Sequence, residues 1–166
     1  MTWLVFALLT VASWGVYGVL LHGGQVAMGD PVNGRYKAFL FVGIAYFLTA
    51  VLAPIAVLVA NGASWTFPAK GMWMSLLAGI VGAVGAFGVL LAFGAKGTPS
   101  VVMSIVFAGA PIVNAVVATA LAGSFRGLRW QFVCGILLAA LGGCLVTLYK
   151  PAPPAHAPPP PAEQGS

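Results

Sequence analysis

Acidic side chains are almost absent from this sequence, whose 166 residues include two aspartates or glutamates and seven lysines or arginines. Asp30 is the only acid outside the C-terminal tail. No carboxylate pair for acid–base catalysis and no buried carboxylate for proton coupling can therefore form in the apolar part. Two histidines and two cysteines show no metal-ligand spacing, and there is no nucleophile–base set or phosphate loop. We predict no enzyme activity, no metal site and no cofactor.

Five long apolar runs dominate the sequence instead. They contain no Asp, Glu, Lys, Arg or His and cover residues 3–21, 38–60, 72–94, 100–122 and 130–149. A helix needs about 20 residues to cross a bilayer core, whereas barrel strands are about 10 residues long and alternate in polarity. The sequence predicts an all-α, multi-pass protein of the inner or plasma membrane. Its five transmembrane helices occupy residues 1–150, and a disordered, proline-rich tail follows at 151–166.

The basic residues lie in the connections between these runs. With helices alternating in direction, one side of the membrane carries Arg35, Lys37, Lys96 and Lys150, and the other carries Lys70, Arg126 and Arg129. This scatter predicts interfacial anchors rather than a nucleic-acid or headgroup-binding patch. The nearly equal split leaves two possibilities: helix 1 or an assembly factor fixes the orientation, or copies insert in both directions.

The first connection, predicted at residues 22–37, is the longest. Gly23-Gly24 and Gly29-Asp30-Pro31 are turn signals, and we interpret Asp30 as a turn-capping residue. The other connections, 61–71, 95–99 and 123–129, are short, which makes neighbouring helices antiparallel.

Small residues recur at four-residue spacing in two runs. They are Ala78, Gly82 and Ala86 in helix 3, and Gly135, Ala139 and Gly143 in helix 5. Such stripes allow helix backbones to approach closely in lipid. They predict helix packing within the chain or against another copy.

Polar and aromatic side chains lie on one face in helices 1 and 4. The candidate substrate-binding residues are Thr10, Ser13, Trp14 and Tyr17 on helix 1, Tyr46 on helix 2, and Ser104 and Asn114 on helix 4. Polar groups in a membrane usually face the bundle interior, so these residues could line a polar cavity with aromatic walls. Alternatively, the hydroxyls bond back to their own helices and Asn114 bonds a neighbouring helix as part of the packing.

Short motifs along residues 3–149 resemble a known transporter family. They are Ser13-Trp14-Gly15, Thr98-Pro99-Ser100 followed by Ala110-Pro111-Ile112, and the run from Gln131 to Gly143 with Gly135 and Gly142. Together they resemble one five-helix half of an EamA-type member of the drug/metabolite transporter superfamily. Ala122-Gly123-Ser124 departs from the Leu-Gly-Glu with which that family often ends helix 4, and helix 1 lacks the membrane glutamate of the related small multidrug exporters.

The resemblance implies a function as well as a fold. Members of this family typically have ten helices, arranged as two inverted halves around a central substrate site. The chain is thus expected to be a transporter subunit that moves a small organic solute by alternating access. It would act as a homodimer in the lipid bilayer, antiparallel if copies insert both ways. The alternative is a membrane scaffold or accessory subunit that transports nothing.

Overall fold

The structure is a computed structural model, and it describes residues 1–123 and 129–149. Over these residues all regular structure is helical, and five helices are long and apolar enough to cross a membrane. They are α1 Thr2–Ala27, α2 Gly34–Ala60, α3 Ala69–Gly94, α4 Pro99–Leu121 and α5 Trp130–Leu148. The prediction of an all-α chain with five such helices is confirmed. The predictions for Arg126, Lys150 and the proline-rich tail concern residues outside the described ranges.

Two predicted helix ends were wrong. Helix α1 continues to Ala27 instead of ending at residue 21, and α2 begins at Gly34 rather than at residue 38. Gly23 and Gly24 do not end α1, because a helix satisfies its own backbone hydrogen bonds and so remains favourable close to the membrane. The connection therefore shortens to residues 28–33. The polar residues around it lie on the ends of two helices.

Asp30 caps this short connection, as predicted. Its Oδ1 accepts hydrogen bonds from the backbone N–H groups of Val32 and Asn33, at 3.0 and 2.8 Å. Its Oδ2 pairs with the Lys37 ammonium at 2.7 Å. These contacts, the hydrogen bond from Lys37 above all, lower the pKa of Asp30 from 3.8 to about 2. The turn thereby ties the start of α2 to the end of α1.

Helix α2 contains one turn of π-helix, Leu48–Leu52, just before Pro54. Proline has no N–H to donate and its ring clashes with the carbonyl one turn earlier. A wider turn accommodates that ring inside a continuous helix. The Thr49 hydroxyl donates to the Ala45 carbonyl at 2.8 Å, so its polar group is satisfied within the same helix.

Helix α1 is central to the packing, because it contacts α2, α3 and α4, whereas α5 packs chiefly on α4. The buried core consists of Leu21, Ala38, Val89, Leu90, Phe93 and Met103. These residues lie toward the end of the bundle where α1 ends and α2 begins, which we call the Asp30 end. Toward the opposite end, residues 2–13 of α1 and 69–85 of α3 are all exposed. The single chain is thus closed at one end only.

The small-residue stripes are only partly used within the chain. A Cβ atom on Gly143 would meet the Ala108 side chain, so α5 packs closely on α4 at this point. Ala86 is buried, but Gly82 and Gly135 have open space where a Cβ would lie. One contact in each stripe therefore holds the chain together, and the rest faces lipid or another molecule.

Candidate functional site

Tyr17 is the predicted site residue with the most distinctive surroundings. It packs against the buried core, and its ring centroid lies 5.6 Å from that of Trp14. Its hydroxyl oxygen is buried and has no hydrogen-bond partner among the residues described. Leaving a buried hydroxyl unpaired costs about 1–3 kcal/mol. A group of this kind inside an apolar helix therefore calls for an explanation.

The hydroxyls of Thr10 and Ser104 are satisfied by their own helices. Thr10 donates to the Phe6 carbonyl at 2.9 Å, and Ser104 donates to the Ser100 carbonyl at 2.6 Å. This is the bonding expected of packing residues rather than of a cavity lining. Within the single chain, the protons of these two hydroxyls are engaged, so the hydroxyls could only accept a hydrogen bond from a ligand.

The remaining predicted residues lie on outer surfaces of the single chain. Ser13 and Asn114 are exposed, and the side chain of Tyr46 is 47% exposed. Ser13 and Asn114 would contribute to a site only with a second molecule beside them, whereas Tyr46 is close enough to Tyr17 to interact with it electrostatically.

The contact between α1 and α4 explains which predicted residues come together. Gly18 is buried against the Met103 side chain, and both residues lie near the Asp30 end. Tyr17 and Ser104 are next to this contact. Asn114 lies about 15 Å further along α4 than Ser104, at about 1.5 Å per residue. The structure thus brings Trp14 and Tyr17 together and leaves Asn114 apart from them.

Tyr17 also lines a groove of about 320 Å³ between α1 and α2. Its other walls are apolar, and they include Leu20, Phe41, Val42 and Ala45. The phenol is therefore the polar side chain of an otherwise apolar, partly aromatic groove. Such a groove suits a ligand that makes one hydrogen bond and many nonpolar contacts.

A second cavity, of about 440 Å³, lies at the Asp30 end among α1, α2 and α3. We call it the end cavity. It is lined by His22, Gln25, Val26, Gly29, Asp30, Pro31, Arg35, Phe93 and Gly94. Sequence reasoning missed it because residues 22–37 were interpreted as a connection and Arg35 as an anchor. The available signal was helical spacing, since His22 and Gln25 continue the face of α1 that carries Gly18 and Leu21.

Three buried polar atoms in the end cavity have no hydrogen-bond partner in the described ranges. They are His22 Nδ1, Gln25 Oε1 and Arg35 Nε. The imidazole of His22 meets the ring of Phe93 edge-on, at 5.3 Å between centroids. The guanidinium of Arg35 lies against Gly94 in the last turn of α3. The cavity thus combines one cation, the Lys37-paired carboxylate of Asp30, two further polar groups and an aromatic wall.

Comparison with family models, with curated proteins and with solved structures found no match to this chain. The resemblance to EamA-type transporters therefore rests on the short sequence motifs alone.

Proposed function

We propose that the chain is a subunit of an EamA-like transporter that moves a small organic solute by alternating access. The observation that carries this proposal is the Tyr17 hydroxyl, which is buried and unpartnered on the inner face of the central helix. Polar groups inside membrane helices are costly, and one that packing leaves without a partner is a candidate for a substrate path. Trp14 beside it supplies an aromatic surface. A solute that accepts or donates one hydrogen bond would satisfy the phenol while it passes.

The lining of this groove favours a neutral or zwitterionic solute. Its walls are apolar apart from the phenol of Tyr17. An isolated ion would lose several kcal/mol of hydration there, with no opposite charge to offset the loss. Transport rather than catalysis fits this lining, because it presents no pair of titratable groups for acid–base chemistry.

The exposed half of the bundle supports a homodimer in the cell membrane. Residues 1–13 and 69–85 contact no core in the single chain, so the chain alone leaves a path toward that end unwalled. Transporters built from two inverted halves hold the substrate between those halves. A second copy would supply the missing wall. The nearly equal charges on the two sides would allow that copy to insert in the opposite orientation.

The proposal can be tested with purified protein in liposomes. The liposomes are loaded with a mixture of amino acids, nucleosides and aromatic amines, and the retained solutes are measured by mass spectrometry. We expect at least one solute to leave faster than from protein-free liposomes, and Tyr17→Phe to slow that loss. Val19→Leu, on the exposed face of α1, is the matched control. Equal retention of every solute with and without protein would refute transport of these classes.

The alternative function, a scaffold without transport, is favoured by the self-satisfied hydroxyls of Thr10 and Ser104. Cysteine labelling separates the two functions. Cys134 and Cys144 are both exposed and free, so they are first replaced by serine. A cysteine at Tyr17 should then react with a water-soluble thiol reagent, whereas one at the exposed apolar position Leu137 should not. Protection at both positions would indicate a dry core and support the scaffold.

A further inference from the structure

We propose that the end cavity is a binding site for a phosphate group carried by an organic molecule, with Arg35 as its cationic partner and His22 and Gln25 as hydrogen-bond donors. These residues lie apart from the Tyr17 groove. The inference therefore does not depend on transport, and it would apply equally to a scaffold.

The depth of the cavity places it at the membrane surface. Helix α1 has 26 residues and is therefore about 39 Å long, whereas the hydrocarbon core of a bilayer is about 30 Å thick. Because the apolar run of this helix ends at residue 21, we place the excess at the end of α1, in the headgroup layer. His22 and Gln25 lie in the last two turns of this helix, beside the Asp30 turn. Phosphates of lipids and of water-soluble molecules can both reach this depth.

The Arg35 guanidinium shares the cavity with the Asp30 carboxylate and lies 5.2 Å from the centroid of the Tyr36 ring, but it has no ion-pair partner in the described ranges. A guanidinium remains protonated at any physiological pH. The one ion pair in residues 1–123 and 129–149 joins Lys37 to Asp30, so Arg35 has no carboxylate partner there. The oxygens of Asp30 already accept bonds from Lys37 and from the backbone of the turn. An unpartnered guanidinium N–H is costly to bury, and an oxyanion would satisfy it with a charge-assisted hydrogen bond.

The neighbouring groups fit phosphate better than carboxylate. A carboxylate is planar and is satisfied by the fork of one arginine, whereas the tetrahedral oxygens of phosphate accept from groups on different elements. Here Arg35 lies on α2, and His22 and Gln25 lie on α1. His22 donates in the Nδ1–H tautomer. A half-turn of the Gln25 amide exchanges its buried oxygen for an N–H₂ donor.

The rest of the ligand would be apolar or aromatic. Val26, Pro31 and Phe93 form nonpolar walls around the polar groups. A cavity of about 440 Å³ lies in the size range of small-molecule sites, so it has room for more than the phosphate itself. The ligand class is therefore an organic phosphate, either the phosphodiester of a membrane lipid or a phosphate ester from water.

Gly94 provides a way to move the arginine without removing it. A Cβ atom at residue 94 would collide with the Arg35 guanidinium, the flexible end of a long side chain. Gly94→Ala should therefore push Arg35 away from its position while the backbones of α2 and α3 stay in place. This variant complements Arg35→Gln, which removes the charge.

The test uses phosphorus NMR on the full chain in dodecyl maltoside, a detergent without phosphorus. One arm adds inorganic phosphate, and the other adds phosphatidylglycerol to the micelles. In the second arm, dioleoylglycerol, which has the acyl chains but no phosphate, is added as a competitor. It detects binding through the acyl chains alone. We expect the phosphorus signal of one probe to broaden and shift in proportion to the wild-type protein. Arg35→Gln and Gly94→Ala should each weaken that binding at least about tenfold, the loss of one charge-assisted hydrogen bond.

Lys96→Gln is the matched control, because it removes one positive charge from the Asp30 end without touching the end cavity. It should bind like wild type. A response to phosphatidylglycerol alone that dioleoylglycerol does not suppress assigns the site to lipid, and a response to inorganic phosphate assigns it to a solute from water. The proposal is overturned by no response to either probe, by a response to phosphatidylglycerol alone that dioleoylglycerol suppresses, or by equal weakening in Lys96→Gln. Melting curves verify that each variant is folded. If a variant is not folded, the binding of the two probes to the wild-type protein decides whether the proposal stands.

Discussion

Gly143 of α5 lies so close to Ala108 of α4 that no methyl group fits between the two helices. The Ala108 side chain has little freedom to move, unlike Met103, which faces Gly18 with a long flexible side chain. This contact therefore limits how closely α5 can approach α4. It also explains why α5 packs chiefly on α4.

We expect Gly143→Ala to destabilise the packing of α5 by about 1–3 kcal/mol, the usual range for an extra carbon forced into a packed contact. Gly142→Ala is the control, since nothing lies within 4 Å of a Cβ at that residue. Both variants gain the same helix propensity. The difference in their stability therefore measures the effect of the close contact with Ala108. Thermal melting in detergent provides the comparison. Equal melting temperatures would contradict the close contact.

Tyr17→Phe should leave the protein as stable as wild type, or make it more stable, because the hydroxyl that it removes has no hydrogen-bond partner. Transport should nevertheless fall if the hydroxyl contacts the solute. Melting and solute loss from liposomes are measured on the same preparation. A marked loss of stability would show that the hydroxyl is structurally required, and unchanged transport would remove it from the substrate path.

The Asp30 carboxyl should titrate with a midpoint near 2 rather than at its ordinary 3.8. Because its pKa is lower in the folded state, ionised Asp30 stabilises the turn fully above about pH 4. That stabilisation is lost as the pH falls from 3.8 toward 2. Asp30 is the only aspartate in the sequence, so protein labelled with ¹³C-aspartate gives a single carboxyl signal to follow.

The Lys37 side chain is the largest cause of that low pKa. Lys37→Met should raise the midpoint toward 3.8 but not to it, because the backbone N–H groups of Val32 and Asn33 still bond the carboxylate. Lys70→Met, at the opposite end of the bundle, should not change it. A midpoint unaffected by Lys37→Met would show that the ion pair does not form in solution.

Gly82→Leu should leave the single chain folded, because a Cβ atom at residue 82 would have no neighbour within 4 Å. If the homodimer uses this face of α3, leucine should prevent the close approach of helices and shift the protein to monomers. Val84→Leu, on an exposed part of the same helix, is the control. Native mass spectrometry reports the oligomeric state. Dimers that survive Gly82→Leu would place the interface on another face.

Hydropathy alone predicted the five helices, because in lipid an apolar run of about 20 residues has few alternatives to a helix. The end of α1 was missed because Gly23 and Gly24 resemble a turn, although both are helical here. That error also concealed the end cavity, since His22 and Gln25 were assigned to a loop. Which stripe glycines pack was not predictable either. Gly143 and Gly82 both lie in stripes of small residues, and only the structure shows that Gly143 meets another helix and Gly82 does not.

Helix α3 is packed at one end and exposed at the other, so a small tilt at the packed end moves the exposed end much further. Its buried residues begin at Ala86, and residues 69–85 extend beyond them with every side chain exposed. That free arm is about 25 Å long at about 1.5 Å per residue. A tilt of about 10° about its held end therefore moves Ala69 by about 4 Å. A small adjustment beside Phe93 and Gly94 would thus be amplified into a displacement of several ångströms at the opposite end of the bundle.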